Sequence, residues 1–171
     1  MIRTILWVTA AAAIMVPSVV FAQSVDLGWE RHTDPAYAFA VDLPMGLFAP
    51  MDPTDAIGLT LAEIGGEGQI SLYGGSAEGL TLEDFATRLS AGEQVRTITY
   101  QASGGSWFVL SGYYESGPGE RPLIFYTKVL MSADHRTFSA FEISYPQSEK
   151  SRFDPIVNRI EDSMTPPERR P

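Results

Sequence analysis

Hydrophobic positions along the chain recur at two spacings, and the spacing predicts the elements. Tyr37, Phe39, Val41 and Leu43 fall at every second position until Pro44 ends the run, the alternation of a half-buried strand. Ile57, Leu59 and Leu61 repeat it, and Ile70 and Leu72 form a shorter strand between Gly68 and Gly74. Val95–Gln101 (VRTITYQ) is rich in residues that favour strands. Trp107–Tyr113 (WFVLSGY) is apolar at successive positions, so it is expected as a central strand covered on both faces. Leu123–Ser132 and Arg136–Tyr145 flank a turn around Ala133-Asp134-His135 and make the clearest hairpin. Matching polarity across that hairpin sets Val129 opposite Phe141, Thr127 opposite Ile143, Phe125 opposite Tyr145 and Lys128 opposite Glu142. A slip of one residue would bring Lys128 against Phe141, which disfavours it.

Two segments follow the helical period instead. Thr81-Leu82-Glu83-Asp84 has the form of an N-cap with an acid three residues on; Leu82, Phe85, Ala86 and Leu89 follow at helical spacing, and Gly92 ends the helix. Phe153, Ile156, Val157, Ile160 and Met164 form one apolar stripe of a C-terminal helix. Pro155 must lie in its first turn. Either Asp154 caps the helix with Pro155 at the first helical position, the favoured reading, or Ser151 caps it with Asp154 reaching back. About four short strands, a helix, four longer strands and a helix describe an α+β fold, a mainly antiparallel sheet with two principal helices packed on it.

The opening strand Tyr37-Ala38-Phe39 leads through Val41-Asp42-Leu43-Pro44 to Phe48. The chain closes with the strand Phe138–Tyr145, the helix from Phe153 to Ile160 and Asp162-Ser163-Met164. This arrangement resembles the Mog1/PsbP-like group of α/β/α sandwich domains. It also resembles small exported alphaproteobacterial proteins of unknown function, with Trp107–Gly112 and Phe125-Tyr126 as their recurring core strands. The matching positions are core positions. The resemblance implies a fold, and a habit of acting as a binding or accessory subunit and not as an enzyme; it transfers no functional residue.

The first 22 residues change the picture of where the domain works. Arg3 precedes a run from Ile5 to Val20 that is apolar apart from Thr9 and Ser18, and Val20-Phe21-Ala22 offers a small-residue cleavage site before Gln23. The run is shorter than the about 20 residues a spanning helix needs, and Pro17 interrupts it. A secretory signal peptide over 1–22, cleaved after Ala22, is therefore expected, with a periplasmic or secreted product. No stable membrane insertion is expected after cleavage. Removing 22 of 171 residues leaves 149, enough for a single domain over 23–164; the Pro- and Arg-rich segment 165–171 (TPPERRP) is expected to be a disordered tail. The chain has 12 basic and 21 acidic residues, a formal charge of −9 that argues against nucleic acid as a partner. It contains no cysteine, so neither a lipid anchor on sulfur nor a disulfide is available and stability must come from the core.

Candidate chemistry is sparse. Glu30, His32 and Asp34 would share one face of an extended strand, but a single histidine among carboxylates is a poor zinc set. Ser132, Asp134 and His135 have the residue types of a hydrolytic triad crowded into a hairpin turn, where the base cannot lie between the other two. Asp52-Pro53-Thr54-Asp55 lacks the glycine and distal glutamate of a calcium loop. The glycine clusters at 65–68, 74–75 and 104–105 lack the lysine or adjoining helix of a phosphate loop and are expected as turns. No catalytic, cofactor-binding or metal-binding residue is assigned.

The loop Glu115–Pro122 stands out as an interaction surface. Tyrosine and arginine are favoured at binding hot spots, and Tyr113, Tyr114, Arg121 and Tyr126 surround it. An exported, non-catalytic binding or accessory domain with a protein partner in the periplasm is the expected function, with no cofactor. The alternatives are a small-ligand carrier with a pocket lined by Tyr100, Trp107 and Tyr113, and a hydrolase using Asp42, Glu63 or Glu142.

Overall fold

The computed structural model describes residues 26–51, 58–77, 79–91, 96–115, 117 and 121–168. Among these residues nine strands and two α-helices follow one another as β1 (Trp29–Thr33), β2 (Ala40–Pro44), β3 (Phe48–Pro50), β4 (Leu59–Glu63), β5 (Gln69–Ser76), α1 (Leu82–Ser90), β6 (Arg96–Ser103), β7 (Trp107–Tyr114), β8 (Leu123–Met131), β9 (Thr137–Pro146) and α2 (Lys150–Ser163). β1 and β2 form an antiparallel hairpin, and the other seven strands form one antiparallel sheet in the order β3-β4-β5-β9-β8-β7-β6. The fold is thus α+β, as the periodicity indicates. The segment 1–22 expected to be a signal peptide, residues 52–55 considered for a calcium loop, and positions 116 and 118–120 of the Glu115–Pro122 loop lie outside the described residues.

The two faces of the sheet carry separate cores. On one, α2 and the β1–β2 hairpin bury Val41, Leu43, Ile70, Leu72, Phe141, Ile143, Phe153 and Ile160. On the other, α1 brings Phe85 and Ala86 against Phe108, Phe125, Val129 and Phe138. Phe153 is completely buried: its ring stacks on Tyr145 at 4.4 Å between centroids and meets Phe48 edge-on at 6.4 Å.

Both helix starts are instructive. At α1 the expected capping box is present. Asp84 N–H donates to Thr81 Oγ1 at 3.1 Å, and Thr81 N–H donates back to Asp84 Oδ2 at 3.1 Å. At α2 neither expected cap is used. A 3-10 turn over Gln147–Glu149 feeds straight into the helix, which begins at Lys150 with Glu149 as its N-cap residue. Asp154 is instead taken by Lys150, one turn earlier, at 2.7 Å. Pro155 consequently sits inside the helix at an exposed position, where it has no N–H to offer the Ser151 carbonyl.

The β8–β9 register is one residue off the polarity match. Lys128 lies opposite Phe141 and Thr127 opposite Glu142. Both faces of this sheet are covered, so polarity across the hairpin does not report solvent, and partners on other elements decide. Lys128 reaches Glu161 of α2 at 2.8 Å on one face, and Glu142 meets Arg96 and Thr127 on the other.

Three further expectations change. β7 pairs on both sides but lies one strand in from the sheet edge; the middle strand is β9, between β5 and β8. Gly74 and Gly75 lie within β5, where a Cβ would fall 2.6 Å from the ring of Tyr37 and of Phe138 respectively, so they admit rings and do not turn the chain. The chain also stays ordered past 164. Thr165 N–H donates to the Ala40 carbonyl at 2.9 Å and Glu168 N–H to that of Tyr37 at 3.2 Å, four residues into the segment expected to be a disordered tail.

Phe153→Ala removes the ring that joins α2 to β3 and β9. It is expected to lower unfolding stability by about 3–5 kcal/mol, read from urea denaturation.

Candidate functional site

The residues expected to form an interaction surface do not all share a face. Successive strand residues point to opposite sides, so Tyr113 and Tyr114 part company. Tyr114 faces the α1 side, beside Phe125. Its hydroxyl donates to Glu142 Oε1. The same carboxylate accepts from Thr127 Oγ1 at 2.6 Å and from Arg96 Nη1 at 3.0 Å. The Arg96 guanidinium also lies over the Tyr114 and Phe125 rings, at 5.1 and 4.9 Å. This is a half-buried, mutually paired cluster. Burial and the Glu142 charge raise the Tyr114 phenol above its ordinary value, and raise that of Tyr73 to about 12.

Tyr113 and Tyr126 face the α2 side. Tyr126 stacks on Phe141 at 5.9 Å, and its hydroxyl donates to Glu161 Oε2 at 2.5 Å. Tyr113 accepts a long hydrogen bond, 3.5 Å, from Gln147 Nε2. Arg121 pairs with Glu67 and lines a shallow depression with Pro122, Gln147 and Ser148. Gln147 thus joins the Arg121 end of this face to Tyr113.

Next to Tyr113 runs a groove of about 230 Å³ between α2 and the sheet. Tyr100, Ser111, Ile124, Tyr126 and Tyr145 form its floor. Lys150, Asp154, Val157 and Asn158, spaced along one face of α2, form its wall. Of the residues named for a carrier pocket, Tyr100 lines the groove and Tyr113 adjoins it. Trp107 does not take part; its indole lies where a Cβ on Gly104 would fall, 2.3 Å from Nε1.

Tyr100 is in the groove because of a β-bulge. Ile98 pairs with Gly112, but Tyr100 pairs with Ser111, so Thr99 is the extra residue. Ile98 packs on the α1 side, and in a regular strand Tyr100 would follow it there. The bulge instead carries Tyr100 across to the α2 side, where it is 55% exposed. Gly112 permits this close passage: a Cβ there would lie 1.9 Å from the Thr97 carbonyl oxygen. The sequence marks Tyr100 and Gly112 but carries no signal for the bulge beyond the glycine itself.

The carboxylates considered for hydrolysis do not converge. Asp42 pairs with Arg31 at 3.0 Å beside the C-terminus of α2. Glu63 is nearly buried, accepting from Arg152 at 2.6 Å and from Gly68 N–H at 2.9 Å, in a loop where a Cβ on Gly66 would strike its carboxylate. Glu142 is held by the Arg96 cluster. Each is engaged separately by cations or donors. Asp34 is occupied by its own turn, accepting from Ala36 and Tyr37 N–H at 2.9 and 2.6 Å. No group of three metal-binding side chains occurs among the described residues. Ser132 donates to Asp134 at 2.7 Å and accepts from Thr137 N–H at 3.1 Å, which makes this segment a hydrogen-bonded turn with His135 at φ 58°.

No protein-family model matches the chain, and no curated protein matches its sequence. Solved structures do match its architecture, and the fold is Mog1/PsbP-like. The chain is similar to cyanobacterial PsbP (CyanoP) from Synechocystis, with a TM-score of 0.60, 12% identity, and coverage of 89% of this chain and 97% of that one. It is similar to the Ran-binding protein Mog1p of Saccharomyces cerevisiae, with a TM-score of 0.59, 8% identity, and coverage of 80% and 94%. LpqN of Mycobacterium tuberculosis, described as involved in cell envelope biogenesis, matches with a TM-score of 0.55, 10% identity, and coverage of 82% and 91%. The likeness to small exported alphaproteobacterial proteins has no counterpart among these structures.

Burial raises the phenol of Tyr145, as it does that of Tyr73, to about 12 from 10.0. A phenol raised in the folded state favours folding while it is neutral. That contribution is intact below the unfolded value near 10 and is lost as pH rises through about 12. The urea midpoint should therefore fall steeply over this interval, and Y73F/Y145F should fall less.

Proposed function

We propose that this chain is an exported, non-catalytic accessory domain that binds a protein partner on the α2 side of its sheet. The observation that carries the reading is the bulge at Thr99, which exposes Tyr100 beside Tyr126, Tyr145 and the α2 wall. Bulges recur where a fold re-aims a side chain for use, and exposed tyrosine supplies large contact area with few rotors. Tyr113, Arg121 and Tyr126 belong to the same surface; Tyr114 is engaged in the Arg96–Glu142 cluster and is left out. The separate engagement of Asp42, Glu63 and Glu142 supports a non-catalytic role.

The groove, at about 230 Å³, is smaller than the roughly 300–1,000 Å³ typical of clefts that enclose a small ligand. That favours one inserted side chain of a protein over a carried molecule. Mog1p is named for binding the protein Ran, and LpqN is described as involved in cell envelope biogenesis, so the fold is compatible with a partner-binding, non-catalytic reading. The apolar N-terminal run ending at Ala22 supports export and cleavage before Gln23. Among the described residues no helix is long and apolar enough to cross a membrane.

A photo-crosslinking amino acid placed at Tyr100, with a control at Glu83 on α1, tests the reading in the native host. The expected result is a mature protein beginning at Gln23 and a discrete adduct from position 100 only, weakened when Tyr126→Ala is added. Identical adducts from both positions, or none from 100, would overturn it.

A further inference from the structure

The two edges of the seven-stranded sheet differ. β3, at one edge, is three residues long and ends in Pro50, which is how sheets ordinarily prevent edge pairing. β6, at the other, is eight residues long, and among the described residues no backbone group outside β7 pairs with its strand residues. Its exposed side chains, Thr97, Thr99, Tyr100, Gln101 and Ser103, are all uncharged. The one charged residue, Arg96, is turned inward onto Glu142. No lysine, acid or proline guards this edge.

The ladder shows which groups are open. Gly104 N–H donates to the Trp107 carbonyl at 2.8 Å, so Ala102 and Tyr100, at even steps back along β6, direct their backbone groups toward β7. Gln101 and Ser103 direct theirs outward. The bulge at Thr99 would blunt an edge running through it, but 100–103 beyond it is regular. A strand laid beside 100–103 would have alternate side chains on the α2 side, next to Tyr100 and the groove.

We propose that β6 is a strand-addition edge: an extended, basic segment of a partner protein pairs with Gln101 and Ser103 and places one apolar side chain in the tyrosine groove. This rests on the reading of the groove as a partner site. The charge argument fixes the occupant. The chain carries −9, and Asp162, exposed at the end of α2 and within electrostatic reach of Tyr126, has no ion-pair partner among the described residues. A second copy would bring the same negative charge to the contact, whereas lysine or arginine flanking the inserted side chain would meet the acid.

The test uses the mature chain and an acetylated, amidated heptapeptide Thr-Lys-Thr-Phe-Thr-Lys-Thr as probe. One control peptide is N-methylated along its backbone, and another has glutamate in place of lysine. Amide exchange at Gln101 and Ser103 is expected to slow about tenfold or more with the probe alone, with weaker protection from the glutamate form and none from the N-methylated form. Gln101→Pro, which removes an outward N–H at a sheet edge, should abolish protection at Ser103. Tyr100 and Tyr126 ring shifts with unchanged exchange at Gln101 and Ser103 would overturn strand addition while leaving the groove reading intact. Neither ring shifts nor protection would contradict both. A peptide-free dimer by analytical ultracentrifugation that already protects Gln101 and Ser103 would replace the basic partner with a second copy.

Discussion

The width of the sheet against the size of what covers it governs this molecule. Seven strands spaced about 4.8 Å apart span roughly 29 Å, whereas a helix is about 10 Å across and shields about two strands. On the α2 side the β1–β2 hairpin extends the cover, burying Val41 and Leu43 in one core with Leu61, Ile70 and Leu72 of β4 and β5, while α2 contacts β8 and β9. Arg31 ties this cover together, donating to Asp42 at 3.0 Å and to the Ser163 carbonyl at 2.8 Å. The cover ends at β8. The groove follows from that shortfall, and so does the open edge at β6.

What the fold does with the uncovered strip is the second point. Apolar positions there would be an aggregation hazard; the strip instead carries tyrosines, serine and threonine. Tyr126 and Tyr145 are anchored from behind by stacking on Phe141 and Phe153. Tyr100 is delivered by the bulge. The result is a row of aromatic surfaces on a rigid floor, with little conformational freedom to lose on binding. The opposite face handles its polar groups differently, drawing Arg96, Tyr114, Thr127 and Glu142 into one internal cluster. Neighbouring tyrosines, Tyr113 and Tyr114, thus take part in unrelated parts of the molecule.

Local chemistry was legible in the sequence, and non-local chemistry was not. The Thr81–Asp84 box, the apolar stripe of α2 and the Ser132–Thr137 turn are each decided by neighbours in the chain, and each reads directly. The core pattern also suffices for the Mog1/PsbP-like fold, although the PsbP, Mog1p and LpqN structures share only 8–12% identity with the chain. The β8–β9 register depends on Glu161, 33 residues from Lys128, and on Arg96, 46 residues from Glu142, so matching polarity across the hairpin alone gave the wrong partner. The start of α2 depends on a 3-10 turn that carries no capping signature. Of the surface, the tyrosines were visible but not their sides. One unpaired residue in β6 reverses the side of Tyr100, and periodicity counted through Thr99 cannot show it.

Proton–proton proximity around the Tyr100 ring tests the central claim most directly. Nuclear Overhauser contacts from that ring to the side chains of Ile124 and Val157 are the result this account predicts, because all three line the groove. Contacts from the ring to Phe125 or Phe108 would place Tyr100 on the α1 side, remove the bulge, and contradict the account.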